Sequence, residues 1–112
     1  MKIYHNPRCR KSREGVQYLT DKKLNFEIFD YLKEGVSEDD IKSILKNLNM
    51  SAIEIVRKNE KIWKDNFKGK ELKEEQIISI LCEEPKLIER PIIVHKNKAV
   101  IGRPKENIDN IL

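Results

Sequence analysis

The sequence lacks the features that would take it to a membrane, out of the cell or onto a nucleic acid. Nowhere in its 112 residues does an apolar run approach the roughly 20 residues a membrane span needs. The N-terminus lacks the charged-then-apolar pattern of a secretion signal, so a cytoplasmic location is expected. No internal repeat, low-complexity run or flexible linker divides the chain, and residues 1–112 are read as one domain. Aromatic residues are few and scattered, and none is interleaved with a basic block. The net charge of +4 is therefore not read as a nucleic-acid surface. Much of that charge lies in alternating stretches such as Lys70-Glu71-Leu72-Lys73-Glu74-Glu75, the pattern of a solvated helix face. Cysteine is scarcer still. Cys9 and Cys82 are too few and too far apart for a zinc-finger type of site, and a structural disulfide is not expected in the cytoplasm. Nothing points to a bound metal or organic cofactor.

What the chain does have is concentrated near its start, in Tyr4-His5-Asn6-Pro7-Arg8-Cys9-Arg10-Lys11-Ser12-Arg13. A short strand, Lys2-Ile3-Tyr4, runs into an Asn-Pro turn. A helix begins at Cys9, with Val16, Tyr18 and Leu19 at apolar helix spacing, and continues to about Asp21. A cysteine in that place faces unpaired backbone N–H groups and the positive end of the helix dipole. An interaction of about 1–2 kcal/mol there favours the thiolate, which is scarce at pH 7 for a free thiol with a pKa of about 8.5. His5, Arg8, Arg10, Lys11 and Arg13 are cations or potential cations within a few residues. Cys9 is the candidate nucleophile. Ser12, one turn on along the same face, is placed to donate a hydrogen bond to its sulfur.

Further along, Phe26-Glu27-Ile28-Phe29-Asp30 alternates like a half-buried strand. Strand, helix and strand within so short a span make a βαβ unit with parallel strands. A helical insert follows over about residues 35–86. Ser37-Glu38-Asp39-Asp40 caps a helix with Ile41, Ile44, Leu45 and Leu48 as its stripe, and Ser51-Ala52-Ile53-Glu54 opens a shorter one through Arg57. Trp63 and Phe67 occupy a polar connection and pin it to the core. A third helix spans about Lys73 to Cys82, until Pro85 forbids continuation. Pro91-Ile92-Ile93-Val94 and Ala99-Val100-Ile101 form a hairpin around His95-Lys96-Asn97-Lys98. Pro104 then opens a last short helix with Ile108, Ile111 and Leu112 facing inward. The plan is α/β: βαβ, an insert, then ββα.

Three arginines stand apart from the lysine-rich surface. Arg57 follows an apolar helix face, Arg90 precedes Pro91 and a strand, and Arg103 lies between Gly102 and Pro104. Arginine presents a planar fork that binds an oxyanion through two bonds at once. On one sheet, the turns at Pro91 and Pro104 would lie near the Cys9 end. The alternative for each is a surface ion pair with one of the many glutamates. Cys82 ends an apolar helix beside two glutamates, which raise a thiol pKa, and is read as structural. His95, in a hairpin turn among lysines, is read as exposed.

The motif His5-Asn6-Pro7-Arg8-Cys9-Arg10-Lys11-Ser12-Arg13 resembles the signature of the glutaredoxin-dependent arsenate reductases. So do Arg57-Lys58-Asn59, Arg90-Pro91-Ile92-Ile93-Val94 and Arg103-Pro104, and the likeness runs from Ile3 to Leu112. The resemblance implies a thioredoxin/glutaredoxin-like fold, a mixed sheet carrying the helical insert. It implies that Cys9 attacks arsenate, that Arg57, Arg90 and Arg103 hold the oxyanion, that His5 helps keep the thiol ionised, and that Pro91 is cis. Glutathione is the implied co-substrate and a glutaredoxin the implied partner. The chain departs from the family where Arg10 and Lys11 stand in place of small residues after the cysteine. Two other readings follow from the same resemblance. One is a glutathione-dependent thiol-disulfide oxidoreductase without arsenate activity. The other is a regulator of the Spx type, which binds RNA polymerase. Ser12 occupies the position of that group's second cysteine, so no intramolecular switch could form there.

Overall fold

The computed structural model describes residues 1–112. Strand β1 (Lys2–His5) leads into helix α1 (Arg10–Asp21) and strand β2 (Glu27–Asp30), and β1 and β2 pair in parallel with Ile3 opposite Ile28 and His5 opposite Asp30. After the insert come β3 (Ile92–His95) and β4 (Lys98–Ile101), antiparallel to one another, with β3 antiparallel to β1. The sheet order is β2-β1-β3-β4. Side chains alternate across it as strand geometry requires. Ile3 and Ile93 point to one face, where Leu19 of α1 and Ile108 and Ile111 of the C-terminal segment close a small core. Tyr4 and Ile92 point to the other, into the larger core formed with the insert.

Helix α2 (Tyr31–Glu34) follows β2 directly, and the insert holds α3 (Glu38–Leu48), α4 (Lys61–Asn66) and α5 (Glu74–Glu83). Ser37 caps α3 reciprocally with Asp40, as its sequence predicts. Trp63 and Phe67 lie on and just after α4 rather than in an irregular connection, and their rings are 5.5 Å apart. They sit four residues apart, the spacing at which helical side chains meet. The turn opened by Ser51 is also shorter than its pattern suggests. It is a 3-10 turn, Ala52–Ile55, and Val56 is extended and bridges Ile88. The Arg57 N–H donates to the Leu87 carbonyl (2.7 Å) and the Glu89 N–H to that of Ile55 (2.8 Å). Backbone pairing across the insert has overridden local helix propensity, and it carries Arg57 to the side of Glu89 and Arg90.

The C-terminal segment differs as well. Residues Lys105–Ile111 form a 3-10 helix, with Pro104 extended before it. Ile108 and Ile111 are three apart, so a three-residue turn places both on one line against the core. Both Arg90–Pro91 and Arg103–Pro104 peptide bonds are cis. No helix is long and apolar enough to cross a membrane.

Gly102 marks where the hairpin presses on this core. A Cβ there would lie 2.7 Å from Ile93 Cδ1 and 3.2 Å from Pro91 Cγ, and Ile93 is fully buried. Gly102→Ala is expected to destabilise the fold by about 1–3 kcal/mol, seen as a lower urea midpoint. An unchanged midpoint would show slack in the packing.

Candidate active site

At the end of β1 the chain turns through Asn6, Pro7 and Arg8 to Cys9, which occupies the N-cap of α1 with φ −95° and ψ 122°. The loop closes on itself. Cys9 N–H donates to the Asn6 carbonyl (3.0 Å), and Arg8 N–H to Asn6 Oδ1 (3.0 Å). No side-chain oxygen caps the helix, and the N–H groups of Lys11 and Ser12 are directed at the sulfur instead. Burial pushes the Cys9 thiol up. That is the largest single influence, but the Arg90 hydrogen bond, the Ser12 N–H, the Arg90 charge and the Lys11 N–H together outweigh it, so the pKa lies below the ordinary value.

The cations close to Cys9 in sequence are turned to other tasks. Arg10 and Lys11 reach Glu14 (3.9 and 3.5 Å), with side chains 76% and 41% exposed. Arg13 Nη1 donates to the Pro7 carbonyl (3.0 Å). Arg8 is exposed. His5 is buried, and this desolvation lowers its pKa against the raising effect of Asp30, with Arg13 lowering it further. Burial therefore favours its neutral form. His5 Nδ1 and Ser12 Oγ share a hydrogen bond of 2.7 Å, and Ser12 Oγ also accepts from the Asn6 N–H (3.0 Å). The expected hydroxyl contact to sulfur is not made. Ser12 is wholly buried and braces the loop with its side chain, while its backbone N–H serves the sulfur.

The remote arginines meet at this end of the sheet in unequal ways. Arg90, mostly buried, lies near enough to Cys9 to lower its pKa and donates from Nη1 to the Lys86 carbonyl (3.2 Å). Arg103 Nη1 donates to the Arg90 carbonyl at 3.5 Å. Arg57 is paired with carboxylates: Nη1 with Glu89 at 3.0 Å and Nε with Glu60 at 3.4 Å. For this residue the ion-pair alternative describes the structure. Arg57 and Arg103 nevertheless line one cleft of about 350 Å³ with Lys58, Asn59 and Glu89. Neither Cys9 nor Arg90 is among its lining residues, and the tie to Arg90 is the Arg103 hydrogen bond to its carbonyl.

Tyr31 is the site residue that sequence reasoning missed. It follows directly on β2, opens α2 and is 1% exposed. Burial pushes its pKa up to about 12, with the charges of Arg90, Cys9, Arg57 and Asp30 acting on it. The available signal was topological. Residue 31 directly follows the strand paired with β1, at the end of the sheet from which the Cys9 loop leaves.

Cys82 is set apart. Its pKa is raised by burial and by Glu38, Asp40 and Glu83. No group of three or more His, Cys, Asp or Glu side chains is placed to hold a metal ion.

A βαβ–ββα sheet that lifts a cysteine of lowered pKa to a helix tip and brings an arginine near it from the far side of the insert defines a thioredoxin-like protein. Comparison with known proteins narrows this further. The chain belongs to the ArsC family, whose model matches residues 4–111. It is 36% identical to the arsenate reductase of Haemophilus influenzae, covering 98% of this chain and 97% of that protein. It is 41% identical to the uncharacterized protein YfgD of Escherichia coli, over 100% and 96% of the two chains. The solved arsenate reductase from Vibrio cholerae superposes with a TM-score of 0.94 at 34% identity, over 100% of this chain and 98% of that one.

Proposed function

We infer that the protein reduces arsenate to arsenite, with Cys9 as nucleophile and glutathione and a glutaredoxin as reductants. The observation that carries this reading is Cys9 at the N-cap of α1 with Arg90 near enough to lower its pKa, because thiolate and oxyanion are both negative and meet only where positive charge is fixed beforehand. The helix N-terminus serves the anion as it serves the thiolate.

The Cys9 thiolate attacks arsenic(V). An S–As bond forms, and one As–O bond breaks as the oxygen leaves as water after taking up protons. A glutathione thiol adds to arsenic in the same way, releasing a second water. A glutaredoxin thiolate then attacks the glutathione sulfur. The S–S bond that forms leaves the electron pair of the broken As–S bond on arsenic, which becomes As(III). Water takes arsenic from Cys9 and restores the thiolate. The two electrons come from glutathione and glutaredoxin, so Cys9 ends as it began. Arg10 and Lys11, paired with Glu14 and exposed, do not crowd the thiol. The departure from small residues therefore gives no reason to favour a disulfide substrate.

NADPH oxidation coupled through glutathione reductase tests the reading. It is expected to require arsenate, glutathione and glutaredoxin together, and no consumption above the arsenate-free rate would overturn it. Glu89 offers a second check. Its carboxylate neutralises Arg57 in a cleft that must admit an anion. Glu89→Gln is expected to lower KM for arsenate about fivefold, the equivalent of a part-exposed ion pair of about 1 kcal/mol. A raised KM would show that Glu89 holds Arg57 in its useful position.

A further inference from the structure

Two polar atoms beside the thiol are buried and bonded to nothing: Tyr31 Oη and Arg90 Nε. Their side chains are only 1% and 9% exposed. Folded proteins seldom leave buried donors unpaired, because each forfeits its water without recompense. A phenylalanine at position 31 would fill the same space without that loss. Two such donors in one place point to a ligand.

They are in one place by construction. His5 lies opposite Asp30 in the β1–β2 register, so Tyr31 begins α2 at the end of the sheet from which the Cys9 loop springs. Helix α2 packs on the 3-10 turn Pro85–Leu87, and the Lys86 carbonyl of that turn holds Nη1 of Arg90. Tyr31 and Leu87 share the larger core. The Tyr31 hydroxyl thus faces the charges of Arg90 and Cys9. By contrast, Nη1 and Nε of Arg57 are already taken up by Glu89 and Glu60.

We propose that Tyr31 O–H and Arg90 Nε–H are a donor pair kept open for oxygen atoms of the oxyanion seated on Cys9, which makes Tyr31 a catalytic residue. This rests on the reading that Cys9 acts on an oxyanion. The two donors do different work. Arg90 supplies charge, which attracts any anion. Tyr31 supplies direction without charge, and because its pKa is raised to about 12 it stays a donor at every working pH. A neutral donor aimed at one oxygen strengthens as negative charge collects there during attack on arsenic.

The test is Tyr31→Phe in the full chain, with arsenate as the probe. Three readouts are compared with wild type: kcat/KM in the coupled assay, the arsenate concentration that protects Cys9 from iodoacetamide, and the urea midpoint. The expected result is a fall of about 100-fold in kcat/KM and at least tenfold more arsenate needed for protection. The urea midpoint is expected to be equal or higher, since an unpaired buried hydroxyl has been removed. Unchanged kcat/KM and protection would overturn the proposal. So would a lowered midpoint, which would mean the hydroxyl has a structural partner. If arsenate protects wild-type Cys9 but is not turned over, the reaction assignment fails and protection alone decides the donor pair. If arsenate does not protect wild-type Cys9, the donors have no such ligand and the proposal falls.

Discussion

Cys9→Ser is expected to bring arsenate turnover to background, a loss of about 10⁴-fold or more, while the protein becomes slightly more stable. The two effects have one origin. Residue 9 is the N-cap of α1, and cysteine leaves that cap without a side-chain hydrogen bond. Serine is among the preferred residues there, and its oxygen accepts from the N–H groups of the first turn, a gain of about 0.5–1 kcal/mol. Those same N–H groups now face the sulfur. A serine hydroxyl is not ionised near neutral pH, so the position would gain a cap and lose its nucleophile. The checks are the coupled assay and a urea titration on the same preparation. Retained turnover would show that the reacting thiol is elsewhere. A clear loss of stability would show that Cys9 serves the fold.

Arg90→Gln carries the second largest effect, a fall of about 10²–10³ in kcat/KM at pH 7. Part of it comes through the sulfur. The Arg90 hydrogen bond is the largest of the influences holding the Cys9 pKa down against burial, and the Arg90 charge acts with it. Removing both raises the pKa and shrinks the thiolate fraction at pH 7. The rest is lost anion binding. The two parts separate with pH. Raising the pH through the shifted midpoint restores the thiolate and its share of the rate, and the remaining deficit persists as a raised KM. Arg90→Lys keeps a charge but not the fork, and its loss is expected to be smaller in thiolate fraction than in arsenate affinity. Full recovery of rate at high pH in Arg90→Gln would show that Arg90 acts on the thiol alone.

The parts of this picture legible in the sequence are those that local chemistry decides. Alternation gave β2 to within a residue, Ser37 and Asp40 gave the start of α3, and the Asn-Pro turn before Cys9 gave the place of the thiol. Which cation serves the sulfur was not legible. Five candidates stand within a few residues of Cys9, yet Arg10, Lys11 and Arg13 bond to Glu14 and Pro7, Arg8 is exposed, and burial lowers the pKa of His5. The hydrogen-bonded cation arrives with Arg90 instead. Proximity along a helix's first turn says little about direction, because side chains there fan outward while the sulfur lies over the helix end. The surroundings of Arg57 were not legible for a related reason. Its helix stops early so that Val56 can pair with Ile88, a long-range event that local propensity does not register, and its new neighbour Glu89 claims its charge. Nothing in the sequence singles Tyr31 out, and its burial alone would mark it as a core aromatic. Only its unpartnered hydroxyl beside Arg90 and Cys9 sets it apart.

The measurement closest to the centre of the account is the rate of iodoacetamide labelling of Cys9 and Cys82 across pH, followed peptide by peptide in one protein sample. Cys9 has Arg90 and two backbone N–H groups at its sulfur, whereas Cys82 has burial, Glu38, Asp40 and Glu83. The predicted result is two separate curves, Cys9 half-labelled at a pH below the free-thiol value of about 8.5 and Cys82 above it. Coincident curves, or Cys9 titrating above Cys82, would contradict the claim that helix tip and remote arginine together hold the sulfur as its anion.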